Sequence, residues 1–297
     1  MLSGMARIAI VGGGSIGEAL LSGLLRAGRQ VKDLVVAEKD PARAKHLAET
    51  YSVLVTTVSN AVDNAGYVVV AVKPADVEEL VGEIVDAATQ AESDAAEQVF
   101  VTVAAGVTTA YYENKLPAGA PVIRVMPNAP IVVGGGVSAL SAGRFATAEQ
   151  MKEVSAIFDA VGGVLTVPES QLDAVTALSG SGPAYFYLMV EALIDAGVAA
   201  GLSRTVATDL VAQTMAGSAA MLLDRLDRAA SAGGAAGSSS GITMDTTPAQ
   251  LRATVTSPGG TTAAGLRELE RSGLRAAVAE AVEAAKRRSE QLGITSE

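Results

Sequence analysis

Three stretches of this chain carry residue types that could do chemistry. Gly12-Gly13-Gly14-Ser15-Ile16-Gly17 fits G-x-G-x-x-G, a pattern whose glycines let a pyrophosphate approach the backbone at a helix start. It follows the apolar run Ile8 to Val11 and opens a helical pattern, Ser15 to Ala27. That context makes a weak motif specific. Glu38 ends the next apolar run, about 20 residues after Gly17, where an acidic residue accepts the ribose hydroxyls of NAD. A carboxylate there repels a 2′-phosphate, while nearby Lys39 and Arg43 could pair with one, so both NADH and NADPH stay open. The other two stretches are Gly/Ser turns running into helices: Leu178 to Tyr185, and Ser257-Pro258-Gly259-Gly260-Thr261-Thr262. Free amides at such a helix start, with Ser and Thr hydroxyls, suit a carboxylate. Caps serving only structure would use the same residues.

Other chemistry is excluded by composition. The 297 residues include no Cys and one His, His46. Thiol nucleophiles, disulfides and Cys-ligated metals are ruled out, and no multi-His metal site can form, so no metal is expected. His46 lies between charged neighbours on a helix and reads as solvated, with no nucleophile beside it. A net charge of -10 argues against nucleic acid as a partner, because phosphates are neutralised by clustered Lys and Arg. No Lys occurs between Lys152 and Lys286. This argues against dehydrogenases that protonate a forming alkoxide with a lysine from the second domain. A protonated cyclic imine needs no such acid: it already carries its proton, and hydride transfer leaves a neutral amine. The site then has only to orient the imine and hold an anion against the nicotinamide.

These groups must be positioned by an α/β chain. Apolar runs at Val53 to Val55, Val68 to Val72, Val99 to Val101 and Val122 to Val125 alternate with helical segments. Continuous apolar strands between helices predict a mostly parallel sheet covered on both faces. After a last strand, Val164 to Val167, helical patterns take over: Leu172 to Leu178, Pro183 to Ala200, Ser203 to Leu226 and Gly260 to Leu292. The expected domains are 1–165, a Rossmann dinucleotide-binding domain, and 166–297, all-α. Ala229 to Gly241 is rich in Gly, Ala and Ser and reads as a flexible connection. The N-terminal run begins too early for a signal peptide. No stretch of about 18 uncharged apolar residues suggests a membrane span. A cytoplasmic protein off the membrane is expected.

Seven stretches, in order, resemble the pyrroline-5-carboxylate reductase family: Val11 to Gly17, Ala71-Val72-Lys73-Pro74, Ala104 to Val107, Arg124 to Asn128, Leu178 to Tyr185, Asp195 to Val198 and Thr256 to Leu266. The resemblance covers nearly the whole chain. It implies NAD(P)H-dependent reduction of L-1-pyrroline-5-carboxylate to L-proline, the last step of proline synthesis, and a helical domain that dimerises. In the family the helical domains interlock, with the site at the interface, and five dimers often form a decamer. Carried onto this sequence, the resemblance assigns Val11, Gly12, Gly13, Gly14, Ser15 and Ile16 to the pyrophosphate. It sets Asn60 at the adenosine side. Ala71, Val72, Lys73, Pro74, Val103, Ala104 and Ala105 line the dinucleotide. It implies that Ser257, Gly260 and Thr261 bind the substrate carboxylate, and that Thr262 places a hydroxyl near the imine nitrogen. A Thr hydroxyl has no pKa near neutrality, so Thr262 would orient substrate rather than act as a strong acid. Glu169 falls roughly where the family has an acidic residue near substrate. Lys73 and Asn128 also read as a strand cap and a turn former, and Arg124 as an internal partner. The small residues of Thr205 to Leu223 suit close packing between subunits. Alternatives are an imine reductase for another small acid and a silent dinucleotide-binding regulator. An intact Ser257 to Thr262 turn argues against the regulator.

Overall fold

The apolar runs of the first half become one eight-stranded sheet in the computed structural model, which describes residues 6–90, 98–233 and 247–293. The strands are β1 (Ile8–Val11), β2 (Leu34–Ala37), β3 (Leu54–Thr56), β4 (Tyr67–Val70), β5 (Val99–Thr102), β6 (Val122–Met126), β7 (Gly136–Ala142) and β8 (Gly162–Thr166). Their spatial order is β3-β2-β1-β4-β5-β6-β7-β8, parallel throughout except for β6 against β7. The order reverses between β1 and β4, the crevice where open α/β sheets bind ligands.

Helices α1 (Ser15–Arg26), α2 (Pro41–Tyr51), α3 (Val58–Val62), α4 (Val77–Gln90), α5 (Thr109–Lys115) and α6 (Ala148–Asp159) connect the strands. Successive side chains of a strand point to opposite faces, and the core divides accordingly. Ile8 and Ile10 pack with Leu20, Leu24, Ile157 and Phe158 of α1 and α6. Ala9 and Val11 pack with Val81, Ile84 and Tyr112 of α4 and α5. The helix starts are the ones the sequence marks. Asp40 Oδ1 accepts from Arg43 N at 2.7 Å with Pro41 at the first turn.

By contact, a first compact unit takes in the sheet and the end of the chain. It comprises Met1–Pro183 together with Val282–Glu297. Two anchors explain this span. Leu172 and Ala177 are wholly buried, in α7 (Leu172–Val175) and the π-helical turn Thr176–Gly180 that continues it. The chain end also returns: Ser289 Oγ donates to Asp173 Oδ1 at 2.6 Å, and a Cβ on Gly106 would lie 3.1 Å from the Leu292 carbonyl.

The second unit, Ala184–Ala281, is helical. It holds most of α8 (Gly182–Ala199), α9 (Arg204–Gly233), α10 (Thr247–Thr254), α11 (Thr261–Arg271) and the first part of α12 (Leu274–Leu292). α8 and α9 meet closely at Gly197, where a Cβ would sit 3.2 Å from the Ala207 methyl. Among the described residues of this unit, Ile194 and Ala207 are the buried apolar side chains. Leu188, Leu193, Leu210, Met221 and Leu223 are each at least half exposed.

Three sequence expectations change. β7 was not expected, because its Gly-Val-Ser-Ala-Leu-Ser-Ala composition lacks a β-branched run. The Gly260 to Leu292 pattern is two helices, broken at Gly273, whose φ of 76° ends α11. α9 continues through Gly233, so the stretch expected as a flexible connection begins in helix; the rest of Ala229 to Gly241 lies outside the described residues. Among the described residues, Arg204–Arg228 of α9 is long and apolar enough to cross a membrane by length and composition. Asp209 interrupts this run, so it still contains no stretch of about 18 uncharged apolar residues.

Candidate active site

The glycine loop is built so that only glycine fits where the chain is tightest. Gly12 has φ +104°, and a Cβ there would come 2.6 Å from the Ala71 carbonyl. A Cβ on Gly17 would meet the Gly12 carbonyl at 2.0 Å. Gly14 differs: nothing lies within 4 Å of its would-be Cβ. Gly14 is the N-cap of α1 and no side chain caps that end. Uncapped amides facing open space at a helix start, with the positive end of the helix dipole behind them, form an anion cradle. A dinucleotide pyrophosphate fits this cradle, and a side chain on Gly14 would fill it.

Two cavities flank that helix end. The larger, about 720 Å³, is lined by Val11, Gly12, Gly14, Glu38, Ala71, Val72 and Lys73 among others. The second, about 430 Å³, is lined by Ser15, Ile16, Met126 to Ala129, Ile131, Val132, Thr176, Gly180 and Ser181. The structure thus brings together most of the residues expected at a dinucleotide. Gly13 is turned toward α2, its N–H donating to Glu38 Oε2 at 2.8 Å. Asn60, on α3, donates through Nδ2 to Thr56 Oγ1 at 3.4 Å, and Thr56 lines the larger cavity. Pro74 opens the turn after Lys73. Val103, Ala104 and Ala105 follow β5, where Val103 N–H donates to the Val70 carbonyl at 3.0 Å.

A polar cluster ties the loop to α2. Arg43 Nε donates to the Gly13 carbonyl at 2.6 Å, and its terminal nitrogen pairs with Glu18. Glu18 also accepts from Tyr51 at 3.0 Å and lies 3.2 Å from His46 Nε2. Burial pushes the Glu18 carboxyl up, but hydrogen bonds from Arg43, Tyr51 and His46 outweigh it and hold it below its ordinary value. His46 is half exposed, as its neighbours suggested, yet it belongs to this cluster.

Glu169 has partners that the sequence did not show. Oε1 accepts from Thr109 N at 2.8 Å and Oε2 from Thr109 Oγ1 at 2.6 Å. Arg124, nearly buried, donates to Oε1 at 3.2 Å. Its carboxylate is therefore turned inward to join β6, α5 and the segment after β8. Asn128 does more than form a turn. Its Nδ2 donates to the Ser179 carbonyl at 3.2 Å and its Oδ1 accepts from Val137 N at 2.9 Å, fixing the π-helical turn that lines the second cavity. Sequence reading flagged the Arg124 to Asn128 motif but not this role. The position after a strand that ends at the ligand edge of the sheet was the available signal.

In the helical unit, Ser257 to Thr262 forms the tight turn that the sequence suggests. Gly259 has φ +70°, and Gly260 N–H donates to the Ser257 carbonyl at 3.0 Å. Gly260 caps α11 without a side-chain bond, so the first amides of α11 are open. Ser257, Thr261 and Thr262 are exposed around that helix end. Among the described residues, no group of three or more His, Asp or Glu could hold a metal ion.

Comparison with known proteins agrees with both halves of this picture. Residues 169–292 match the family model "Pyrroline-5-carboxylate reductase dimerisation". Residues 7–106 match "NADP oxidoreductase coenzyme F420-dependent". The chain is 71% identical over 297 residues, all of both chains, to a pyrroline-5-carboxylate reductase of Mycobacterium tuberculosis. A solved pyrroline-5-carboxylate reductase from Coxiella burnetii superposes with TM-score 0.85 at 32% identity, covering 98% of this chain and 99% of that one. A Plasmodium falciparum pyrroline carboxylate reductase, solved with NADP bound, gives 0.76 at 27% identity over 97% and 98%.

Proposed function

The chain belongs to the pyrroline-5-carboxylate reductase family, and on that premise we infer that it reduces L-1-pyrroline-5-carboxylate to L-proline by hydride transfer from NADH or NADPH. This is the last step of proline synthesis. The observation that carries the reading is a pair of uncapped helix starts of different chemistry. One is bare glycine beside a large cavity, and the other is dressed with Ser and Thr hydroxyls.

The dinucleotide, when bound, supplies the hydride. The chain's residues do the rest. Ser15, Ile16 and the glycines before them hold the pyrophosphate, and Ala71 to Pro74 with Val103 to Ala105 line the dinucleotide beyond it. Asn60 acts at the adenosine side through Thr56. The open first amides of α11, from Thr261 onward, take the substrate carboxylate with the Ser257 hydroxyl, and Gly260 shapes the turn beside them. Thr262 orients the imine nitrogen. The imine is protonated before it is reduced: hydride adds to its carbon, the C=N π electrons pass to nitrogen, and a neutral amine leaves. No acid of the chain has to give a proton in that step, which matches a stretch between Lys152 and Lys286 that holds no Lys, Cys or His. Glu169 keeps its expected place near the substrate, its carboxylate held by Thr109 and Arg124.

The family's dimerisation segment makes this a homo-oligomer. We propose further that the dimers assemble into a decamer. The enzyme works in the cytoplasm, off any membrane and without nucleic acid, and a second copy covers the apolar face of α9. The function is tested by following NADH and NADPH oxidation with pyrroline-5-carboxylate. Turnover with at least one of them is expected, and none with either overturns the reading.

A further inference from the structure

We propose that Glu38 makes this enzyme discriminate against the 2′-phosphate of NADPH, so that NADH is its preferred dinucleotide, and that it does so while bracing the glycine loop. The inference rests on the dinucleotide reading above and adds which of the two is taken.

Glu38 ends β2 and lines the 720 Å³ cavity. Its Oε2 accepts from Gly13 N and its Oε1 from Asp40 N, both at 2.8 Å. Each oxygen keeps a further acceptor direction. The carboxylate can therefore take ribose hydroxyls, but it cannot face a phosphate dianion without repulsion.

Reading a 2′-phosphate requires a base to neutralise it, commonly an Arg near this strand end. The Arg that the sequence offers is Arg43, and it is committed elsewhere. Its Nε bonds the Gly13 carbonyl at 2.6 Å and its terminal nitrogen pairs with Glu18. Glu18 is kept ionised by three donors that outweigh its burial, so the pair persists at neutral pH. Lys39 is exposed and lies 3.5 Å from Glu79. The cavity wall carries the carboxylates of Glu38, Asp76, Glu79 and Glu83 against the ammonium groups of Lys39 and Lys73. A wall with four acids and two bases sets a negative potential where the extra phosphate would arrive.

Glu38 thus has two separable jobs. The hydrogen bond to Gly13 shapes the loop for either dinucleotide, and the charge selects between them. Glu38→Gln removes the charge and keeps one accepting oxygen, enough for the Gly13 N–H bond but not for the Asp40 N–H bond as well.

Isothermal titration of the full-length protein with NAD+ and NADP+ tests this without any turnover. NADP+ should bind roughly tenfold or more weakly than NAD+, the scale of one unscreened close repulsion at a partly exposed site. In Glu38→Gln, the ratio of the two dissociation constants should move by about tenfold in favour of NADP+. Arg43→Ala should leave the ratio of the two constants unchanged. Raising the salt concentration should narrow the wild-type gap. Wild-type protein that binds NADP+ as tightly as NAD+ overturns the proposal even if the variants fail to fold. So does a selective loss of NADP+ binding in Arg43→Ala, since that would put Arg43 on the phosphate. Binding of neither dinucleotide would remove the dinucleotide reading itself, and this inference with it.

Discussion

The two compact units bury their apolar residues in opposite ways. In the first unit, β1, β2, β4 and β5 are buried along their whole length and both sheet faces carry dense apolar clusters. In the second, Ile194 and Ala207 are the buried apolar side chains among the described residues, while Leu188 is 67% and Leu223 61% exposed. A soluble chain rarely presents so much contiguous apolar surface unless something covers it. Its match to a dimerisation family says what: a second copy. The Rossmann unit thus has a core of its own, while the helical unit leaves most of its large apolar side chains uncovered within one chain. The small residues Ala212, Ala216, Gly217, Ala219 and Ala220 all lie on exposed positions of α9, where they let another helix approach closely.

This contrast can be broken by core and surface substitutions. Phe158 is fully buried beneath the sheet. Phe158→Ala should cost about 3–5 kcal/mol, the usual range for deleting a buried aromatic. Urea melts should show that loss to be independent of protein concentration. Leu210 is 54% exposed within one chain, so Leu210→Glu would be nearly silent in a monomer. Covered by a second copy, it becomes an unpaired buried charge and should weaken association by about 3 kcal/mol per copy. Light scattering across a dilution series would show a smaller mass, and a melting temperature that falls on dilution. An unchanged mass would remove α9 from the interface.

Smaller effects sharpen the same division. Burial pushes the Tyr112 hydroxyl up to about 12, partly offset by its hydrogen bond with Thr102. The fold therefore keeps this tyrosine protonated while the unfolded chain ionises near its ordinary value. That contribution is fully present below pH 10 and is lost between about pH 10 and 12, at up to about 1.4 kcal/mol per pH unit. The fall in unfolding midpoint between pH 9 and 11 should be smaller in Tyr112→Phe than in the wild type. At the low end, the pair of Arg271 and Glu268 is exposed on both sides. Arg271→Ala should change stability by less than about 0.5 kcal/mol. A larger loss would place that end of α11 in an interface.

The Rossmann unit was largely legible in the sequence because its signals are local. A continuous Val/Ile run states a buried strand, and Asp40-Pro41 states a helix start. β7 escaped, because small residues held between two partner strands carry no propensity signal of their own. The extent of the first compact unit is not written locally, for a related reason. Leu172 and Ala177 look like any helical residues until they are seen buried on the Rossmann unit, and the Ser289–Asp173 bond joins positions far apart in the chain. At the site, residue types and spacing pointed to the glycines, Glu38 and the Ser257 to Thr262 turn. The commitments of Arg43, Glu169 and Asn128 were invisible, because each depends on partners brought together only by folding.

The proposed site divides the labour: one helix start would hold the dinucleotide, and the hydroxyl-bearing start of α11 would hold and orient the substrate. The measurement that tests it most directly pairs NADH affinity with pyrroline-5-carboxylate turnover in Thr262→Ala and Thr262→Ser. Thr262→Ala should keep its NADH dissociation constant within about twofold and lose on the order of 10² in turnover, the lower end for a positioned proton-bonding group. Thr262→Ser, which retains the hydroxyl, should recover most of that loss. Full turnover in Thr262→Ala would contradict the claim.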